Sequence, residues 1–204
     1  MLQGLGVPKV DSPFFESWLE AGFFSPYESL AIQLNRDGFA VVDLDDQVGE
    51  LCDQIKINLG ERFDIDGWRA AGGDKNLRAQ DAWLDDELVS QLALNQEILA
   101  ILSTLYGKNP FPFQTLNFPV GTQQPPHSDS VHFSSLPHGF MCGVWVALED
   151  IHKDSGPLIY YPGSHKLPYV HPSDLGIRNK DNVNLKQTVF HDYWQATLSE
   201  LQIE

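Results

Sequence analysis

Phe140-Met141-Cys142-Gly143-Val144-Trp145-Val146-Ala147-Leu148 is the run on which the fold turns. Successive side chains of an extended segment point to opposite sides. One side therefore carries Cys142, Val144, Val146 and Leu148, and the other Met141, Gly143, Trp145 and Ala147. A strand that is apolar on both sides belongs between two layers, which predicts a β-sandwich or a closed barrel. Two further runs share this β-branched and aromatic texture, Phe113 to Phe118 and Leu158 to Tyr161. Turn signals separate them at Pro119-Val120-Gly121, Pro137-His138-Gly139, Asp154-Ser155-Gly156-Pro157 and Pro162-Gly163.

Upstream of this β texture the chain reads mainly as helix. Ser12-Pro13 is a cap followed by a first-turn proline and opens a segment through Phe15, Trp18 and Leu19. A second helix runs from near Glu28 to Asp37 and stops at Gly38, a residue suited to the left-handed C-terminal position. Phe39 to Val42 reads as a short strand. Asp45 or Asp46 then begins a helix with Val48, Leu51, Cys52 and Ile55 on one face. Residues 60–80 are rich in glycine and charge and read as loop. From about Asp85 to Tyr106, Leu88, Leu92, Leu99, Leu102 and Leu105 keep helical spacing until Gly107. The expectation is one domain over 1–204, with a helical part over about 1–108 packed on a β core over about 110–204.

Composition narrows the function. The 204 residues carry 13 basic and 28 acidic side chains, a net charge of −15. Nucleic acid and anionic membrane surfaces are disfavoured, because both demand clustered Lys and Arg. The acidity is concentrated in the first hundred residues, where solvated helix faces account for it. No window approaches eighteen consecutive apolar residues, and the N-terminus lacks the pattern of a secretory signal. A cytoplasmic protein acting on a small molecule is expected. Cys52 and Cys142 show no metal-type spacing, which predicts buried free thiols.

The chemistry concentrates at Pro125-Pro126-His127-Ser128-Asp129. In an extended segment His127 and Asp129 share one side, so an imidazole nitrogen and a carboxylate oxygen can meet one metal ion, while Ser128 points away. These are two parts of a two-histidine, one-carboxylate site, which leaves positions open on Fe(II). By itself His-x-Asp is a weak signal, since such pairs more often serve as turn or surface residues.

The neighbouring motifs add weight to it. Pro112-Phe113-Gln114-Thr115-Leu116-Asn117-Phe118, the His-x-Asp, Gly143-Val144-Trp145-Val146-Ala147-Leu148-Glu149-Asp150, and Ser155-Gly156-Pro157-Leu158 leading to Pro162-Gly163-Ser164-His165-Lys166 resemble, in order and spacing, the phytanoyl-CoA dioxygenase family. The resemblance covers about residues 35–170, and Asp37-Gly38-Phe39 is similar to the family's opening strand. It implies a mainly β protein with flanking helices, a double-stranded β-helix of the jelly-roll, cupin-like kind. It also implies Fe(II), 2-oxoglutarate as cosubstrate and O₂, with hydroxylation of an unactivated C–H bond. His127 and Asp129 match the first two metal ligands. Trp145 matches an aromatic position near the 2-oxoglutarate pocket, although a core tryptophan is an equal reading. A carboxylate at Asp129 favours hydroxylation over halogenation, because halogenating relatives lack that ligand.

The family pattern also calls for a distal His followed by an Arg for the far carboxylate of 2-oxoglutarate. His165 with Arg178 is set aside, because His165 belongs to the Pro-Gly-Ser-His segment that precedes the distal ligand. His191 lies in a stretch that reads as helix and is expected as a solvent-facing or capping residue. The chain is therefore expected to stop short of the third ligand and the last strands. Arg78 is a further candidate for a carboxylate, against a surface salt bridge, and Lys75 shares that reading. Gln114, Thr115 and Asn117 are polar positions in an apolar run, so at least one is expected to face the pocket. Ser130 and His132 follow the metal motif closely enough to touch substrate, with a core position or one supporting a metal ligand an equal reading for His132. The principal expectation is an Fe(II)- and 2-oxoglutarate-dependent dioxygenase. The alternatives are a catalytically inactive jelly-roll module that binds a metal or ligand, and a cupin-type isomerase or lyase, which would ordinarily use more histidines.

Overall fold

The computed structural model describes residues 6–73, 77–132, 134–178 and 182–202; Lys75 lies outside them. Two short helices, α1 (Phe15–Glu20) and α2 (Glu28–Asp37), open the fold. Helix α1 begins later than the Ser12-Pro13 signal predicts. The Ser12 hydroxyl accepts from the backbone N–H of Phe14, and its carbonyl accepts from Phe15 N–H, so the serine organises the turn before the helix. Helix α2 ends as its sequence dictates, with Gly38 at φ 85° and its N–H donating to the Leu34 carbonyl.

Asp45 caps α3 (Asp46–Gly60) by accepting from Val48 N–H at 3.0 Å. The span expected as loop contains a helix, α4 (Ile65–Ala70), because Asp64 accepts from Gly67 N–H and supplies a cap. The long periodic stretch before Gly107 is two helices, α5 (Glu87–Ala93) and α6 (Gln96–Tyr106). Asp86 caps the first and Asn95 the second, so a second start signal interrupts the periodicity. Glu87 to Tyr106 has the length and apolar content of a membrane span. Its break at Leu94–Asn95 and the burial of Ile101 and Leu105 make it a pair of core-facing helices.

Three apolar clusters hold these elements. Val10, Phe15, Phe24, Ala31, Ile101 and Leu105 join α1, α2 and α6. Ile55, Leu59, Ala82 and Val89 join α3 to α5 and to the 3-10 turn Ala82–Leu84. Phe190 and Trp194 on α7 (Val183–Glu200) pack with Ile177. Cys52 is buried on α3, as expected of an apolar thiol.

The β expectation is overturned. The structure is 46% helix and 2% strand, so it is neither mainly β nor a jelly-roll. Among the described residues one ladder forms, β1 (Ala79–Gln80) antiparallel to β2 (Leu116–Asn117), with Ala79 opposite Asn117 and Gln80 opposite Leu116. Asp81 secures its end by donating its N–H to the Thr115 carbonyl and accepting from Thr115 N–H. The runs at 39–42, 140–148 and 158–161 are present without ladders. Val144 is 50% and Trp145 53% exposed, and Cys142 is exposed rather than buried. The physical reason is that β texture records a preference for a pleated, half-buried surface, which a strand acquires only from neighbouring strands. Phe39 does meet the third run, with its ring 5.3 Å from that of Tyr160, and Gly163 N–H donates to the Asp37 carbonyl. The motif segments flanking the helical half are thus joined by a turn contact and ring packing.

Candidate metal centre

His127 and Asp129 lie on one side of the chain, as their i, i+2 spacing requires. His127 Nε2 is 3.5 Å from Asp129 Oδ1. The segment is extended only up to Ser128, because Asp129 opens a 3-10 turn, Asp129–Val131. Ser128 caps that turn, and its hydroxyl hydrogen-bonds with the Ser130 hydroxyl at 3.0 Å. The other nitrogen of His127 is committed. Nδ1 lies 2.7 Å from the Pro125 carbonyl, which can only accept, so in the neutral ring the proton sits on Nδ1 and Nε2 keeps its lone pair, while protonation places a second N–H on Nε2 toward Asp129. This is the orientation that a metal-binding imidazole needs, with a backbone carbonyl holding its far side.

The electrostatics agree with the geometry. The contact with Asp129 raises the affinity of His127 for a proton, and the same contact holds the Asp129 carboxyl below the ordinary carboxylate range. His132 shifts the other way, its pKa lowered by burial and then by the neighbouring His127. Its ring lies edge-on to His127 with centroids 5.9 Å apart.

Helix α7 adds a residue that its sequence did not reveal. It packs against the 129–131 turn and sets the His191 ring 5.9 Å from the His127 ring. His191 Nε2 is buried without a hydrogen-bond partner, so the reading of His191 as solvent-facing or capping is corrected. The available signal was its place beside Phe190 and three residues before Trp194, the two residues that mark the buried side of α7. Imidazole nitrogen and carboxylate oxygen are donor types that suit Fe(II), and the His191 ring is placed against His127. Among the described residues, no three His, Cys, Asp or Glu side chains form a preassembled metal cluster. The ready pair is His127 with Asp129.

The remaining site candidates divide by location. The β1–β2 ladder places Asn117 opposite Ala79, the residue after Arg78, so these two candidates are neighbours along the backbone only. Arg78 is exposed, and its charge reaches His132. Asn117 Oδ1 is buried without a partner, leaving an amide that offers a ligand an acceptor or, after a half-turn, a donor. Gln114 is half-buried just before the ladder. Thr115 spends its hydroxyl on the backbone, accepting from Trp83 N–H. Trp145 stands on the exposed 140–148 run and makes no ring contact with His127 among the described residues. His165 is engaged elsewhere, with Nε2 3.0 Å from the Asn35 carbonyl.

Comparison with known proteins places these features in a lineage. The chain is 44% identical over 46 residues to phytanoyl-CoA dioxygenase domain-containing protein 1 of Danio rerio, a stretch covering 22% of this chain and 16% of that protein. It is 36% identical over 67 residues to a probable phytanoyl-CoA dioxygenase of Caenorhabditis elegans, covering 31% of this chain and 22% of the relative. The aligned stretches thus span less than a quarter of either relative's length. No solved structure matches the chain. The sequence profile of the phytanoyl-CoA dioxygenase family, by contrast, matches residues 34–199, running from α2 through His127 and Asp129 to the end of α7. With most of its length and its metal-type pair inside that match, the chain belongs to the phytanoyl-CoA dioxygenase family.

Proposed function

We propose that this chain takes part in an Fe(II)- and 2-oxoglutarate-dependent oxidation of a small molecule by O₂, with His127 and Asp129 as the metal donors. The observation that carries this reading is the paired geometry of an imidazole Nε2, freed by the Pro125 carbonyl, and a carboxylate 3.5 Å away. When bound, Fe(II) with 2-oxoglutarate supplies the two-electron activation of O₂ that a C–H hydroxylation needs. The chain's own residues hold and orient. His127 presents a fixed lone pair, Asp129 contributes negative charge, and the buried His191 Nε2 lies on the α7 side of the pair. Arg78 and Asn117, at the β1–β2 ladder, are the groups we assign to a carboxylate of the cosubstrate, since a guanidinium suits that partner. Charge and composition support a small-molecule substrate in the cytoplasm, without nucleic acid or membrane as partner.

The test is Fe(II)-dependent conversion of 2-oxoglutarate to succinate, with Fe(II) binding measured alongside. Wild-type protein is expected to bind Fe(II) and consume the cosubstrate, and His127→Ala and Asp129→Ala to lose both while staying folded. Unchanged turnover or metal binding in either folded variant overturns the assignment. A second reading, a metal- or ligand-binding module without turnover, is favoured by the two ready donors where three would close a site. Stoichiometric Fe(II) binding with no succinate formed selects it.

A further inference from the structure

Beside the metal pair, but outside the residues assigned to metal or cosubstrate, lies an open depression of about 300 Å³. Ser130 and His132, which continue the metal segment, line it together with His138, Tyr169 and His171. Among the described residues no Asp, Glu, Lys or Arg lines it, in a chain with 28 acidic side chains.

His138, Tyr169 and His171 are pre-ordered. His138 and Tyr169 stack with ring centroids 4.2 Å apart. The Ser134 hydroxyl bridges them, accepting from the Tyr169 hydroxyl at 2.8 Å and lying 3.0 Å from His138 Nδ1. His171 is fixed by its role as a cap. The backbone N–H of Ser173 can only donate, and it donates to His171 Nδ1. That nitrogen therefore bears a lone pair, and the ring's proton is on Nε2, a hydrogen-bond donor on a ring that lines the depression.

An imidazole donor at His171, the His138–Tyr169 stack and a lining without carboxylates among the described residues favour an oxygen-bearing anion. We infer that this depression binds the carboxylate end of a planar small-molecule substrate, with His171 Nε2–H donating to it and the His138–Tyr169 stack supporting its flat face. The inference deepens the proposed function by naming a substrate class, and it rests on that reading for what the bound molecule would encounter at His127 and Asp129. The binding event itself needs no metal, which separates the two.

The experiment titrates metal-free protein with benzoate, and with uncharged benzamide as its isostere, following the imidazole signals of His138 and His171 by NMR. Benzoate is expected to shift both rings saturably, with an affinity at least about tenfold above that of benzamide, the scale of one charge-assisted hydrogen bond. His171→Asn keeps a side-chain acceptor for the cap and removes the Nε2–H. It is expected to lose at least about tenfold in benzoate affinity and little in benzamide affinity. His138→Ala removes the stack, so if His171→Asn does not fold, loss of the His171 ring shift in folded His138→Ala serves as the second arm, and an undiminished shift there overturns the inference. Equal binding of benzoate and benzamide, absence of saturable shifts at these two rings, or undiminished benzoate affinity in folded His171→Asn each overturns the inference. Fe(II) binding by His127→Ala is measured separately, so loss of the metal assignment would leave the benzoate result standing.

Discussion

The helical part through Tyr106 and the extended part from Phe111 to Tyr161 contain comparable apolar residues, but the first closes a core while leaving others such as Phe14 and Phe23 exposed, and the second fully buries none among the described residues. In the first, Phe24 is fully buried and packs at a tilt 5.2 Å from Phe15, and Ile55 is likewise closed off. In the second, Phe111, Phe113, Val144, Trp145, Leu158 and Ile159 are all exposed. The difference lies in how each backbone satisfies itself. A helix pairs its own N–H and C=O groups and needs a neighbour only for its apolar stripe, whereas a strand needs neighbours for both. The helical part therefore reaches a core with local pairing, and the extended part holds its place through single contacts such as Phe39 with Tyr160.

The contrast predicts that truncation costs very different amounts in the two parts. Phe24→Ala is expected to lose about 3–5 kcal/mol of unfolding free energy, the usual range for emptying a closed aromatic site. Trp145→Ala, on a half-exposed ring of similar bulk, is expected to lose under about 1 kcal/mol. Urea denaturation followed by far-UV circular dichroism measures both, and equal losses would break the comparison.

The junction between the parts gives the next effect. Gly38 sits at φ 85°, where a side chain is strained, and an added Cβ would collide with the His165 ring and the Tyr160 hydroxyl. Gly38→Ala is expected to cost about 2 kcal/mol, more than backbone strain alone, because it also pushes back the Tyr160–His165 segment. A smaller loss is expected at Asp45, whose carboxylate caps α3 without touching the extended part. Asp45→Ala should cost about 1 kcal/mol in the same denaturation experiment.

What could be read from the sequence follows the same division. Gly38, Asp45 and Gly107 were legible because a helix end is specified within a few residues of itself, by a cap or a left-handed glycine. His127 and Asp129 were legible because their meeting depends only on i, i+2 geometry. The strand runs misled because β texture is local while a ladder is not, and among the described residues only Leu116–Asn117 of those runs found a partner. Helix α4 was hidden in a glycine- and charge-rich stretch, where the Asp64 cap outweighed composition. His191 was missed because its helix was legible but the side of that helix facing His127 depends on where α7 docks. His138, Tyr169 and His171 come from segments more than thirty residues apart, so no spacing rule could have joined them.

The smallest expected effect lies at the metal pair, and its sign depends on whether an ion is present. Without metal, the raised pKa of His127 means that its stabilising contact is fully present below the ordinary histidine value of 6.5 and fades as pH rises through the raised value. The lowered pKa of Asp129 means that its share is present above the ordinary value of 3.8 and fades as pH falls through the lowered one. Both act together in the mildly acidic window between those ordinary values. Because the Asp129 side chain is 59% exposed, solvent screens the pair, and a double-mutant cycle of His127→Ala with Asp129→Asn is expected to give a coupling under about 1 kcal/mol there, vanishing at alkaline pH. With a divalent metal the direction reverses, since the ion takes the Nε2 lone pair that the proton would occupy. Affinity for Fe(II), or for Co(II) as an air-stable probe, is then expected to fall about tenfold per pH unit below the raised His127 value, and to hold steady above it until hydroxide competes. Isothermal titration across that range checks both signs. An affinity flat through the acidic range would mean that His127 does not bind the ion, leaving the extended part of the molecule without the contact that most distinguishes it from the helical part.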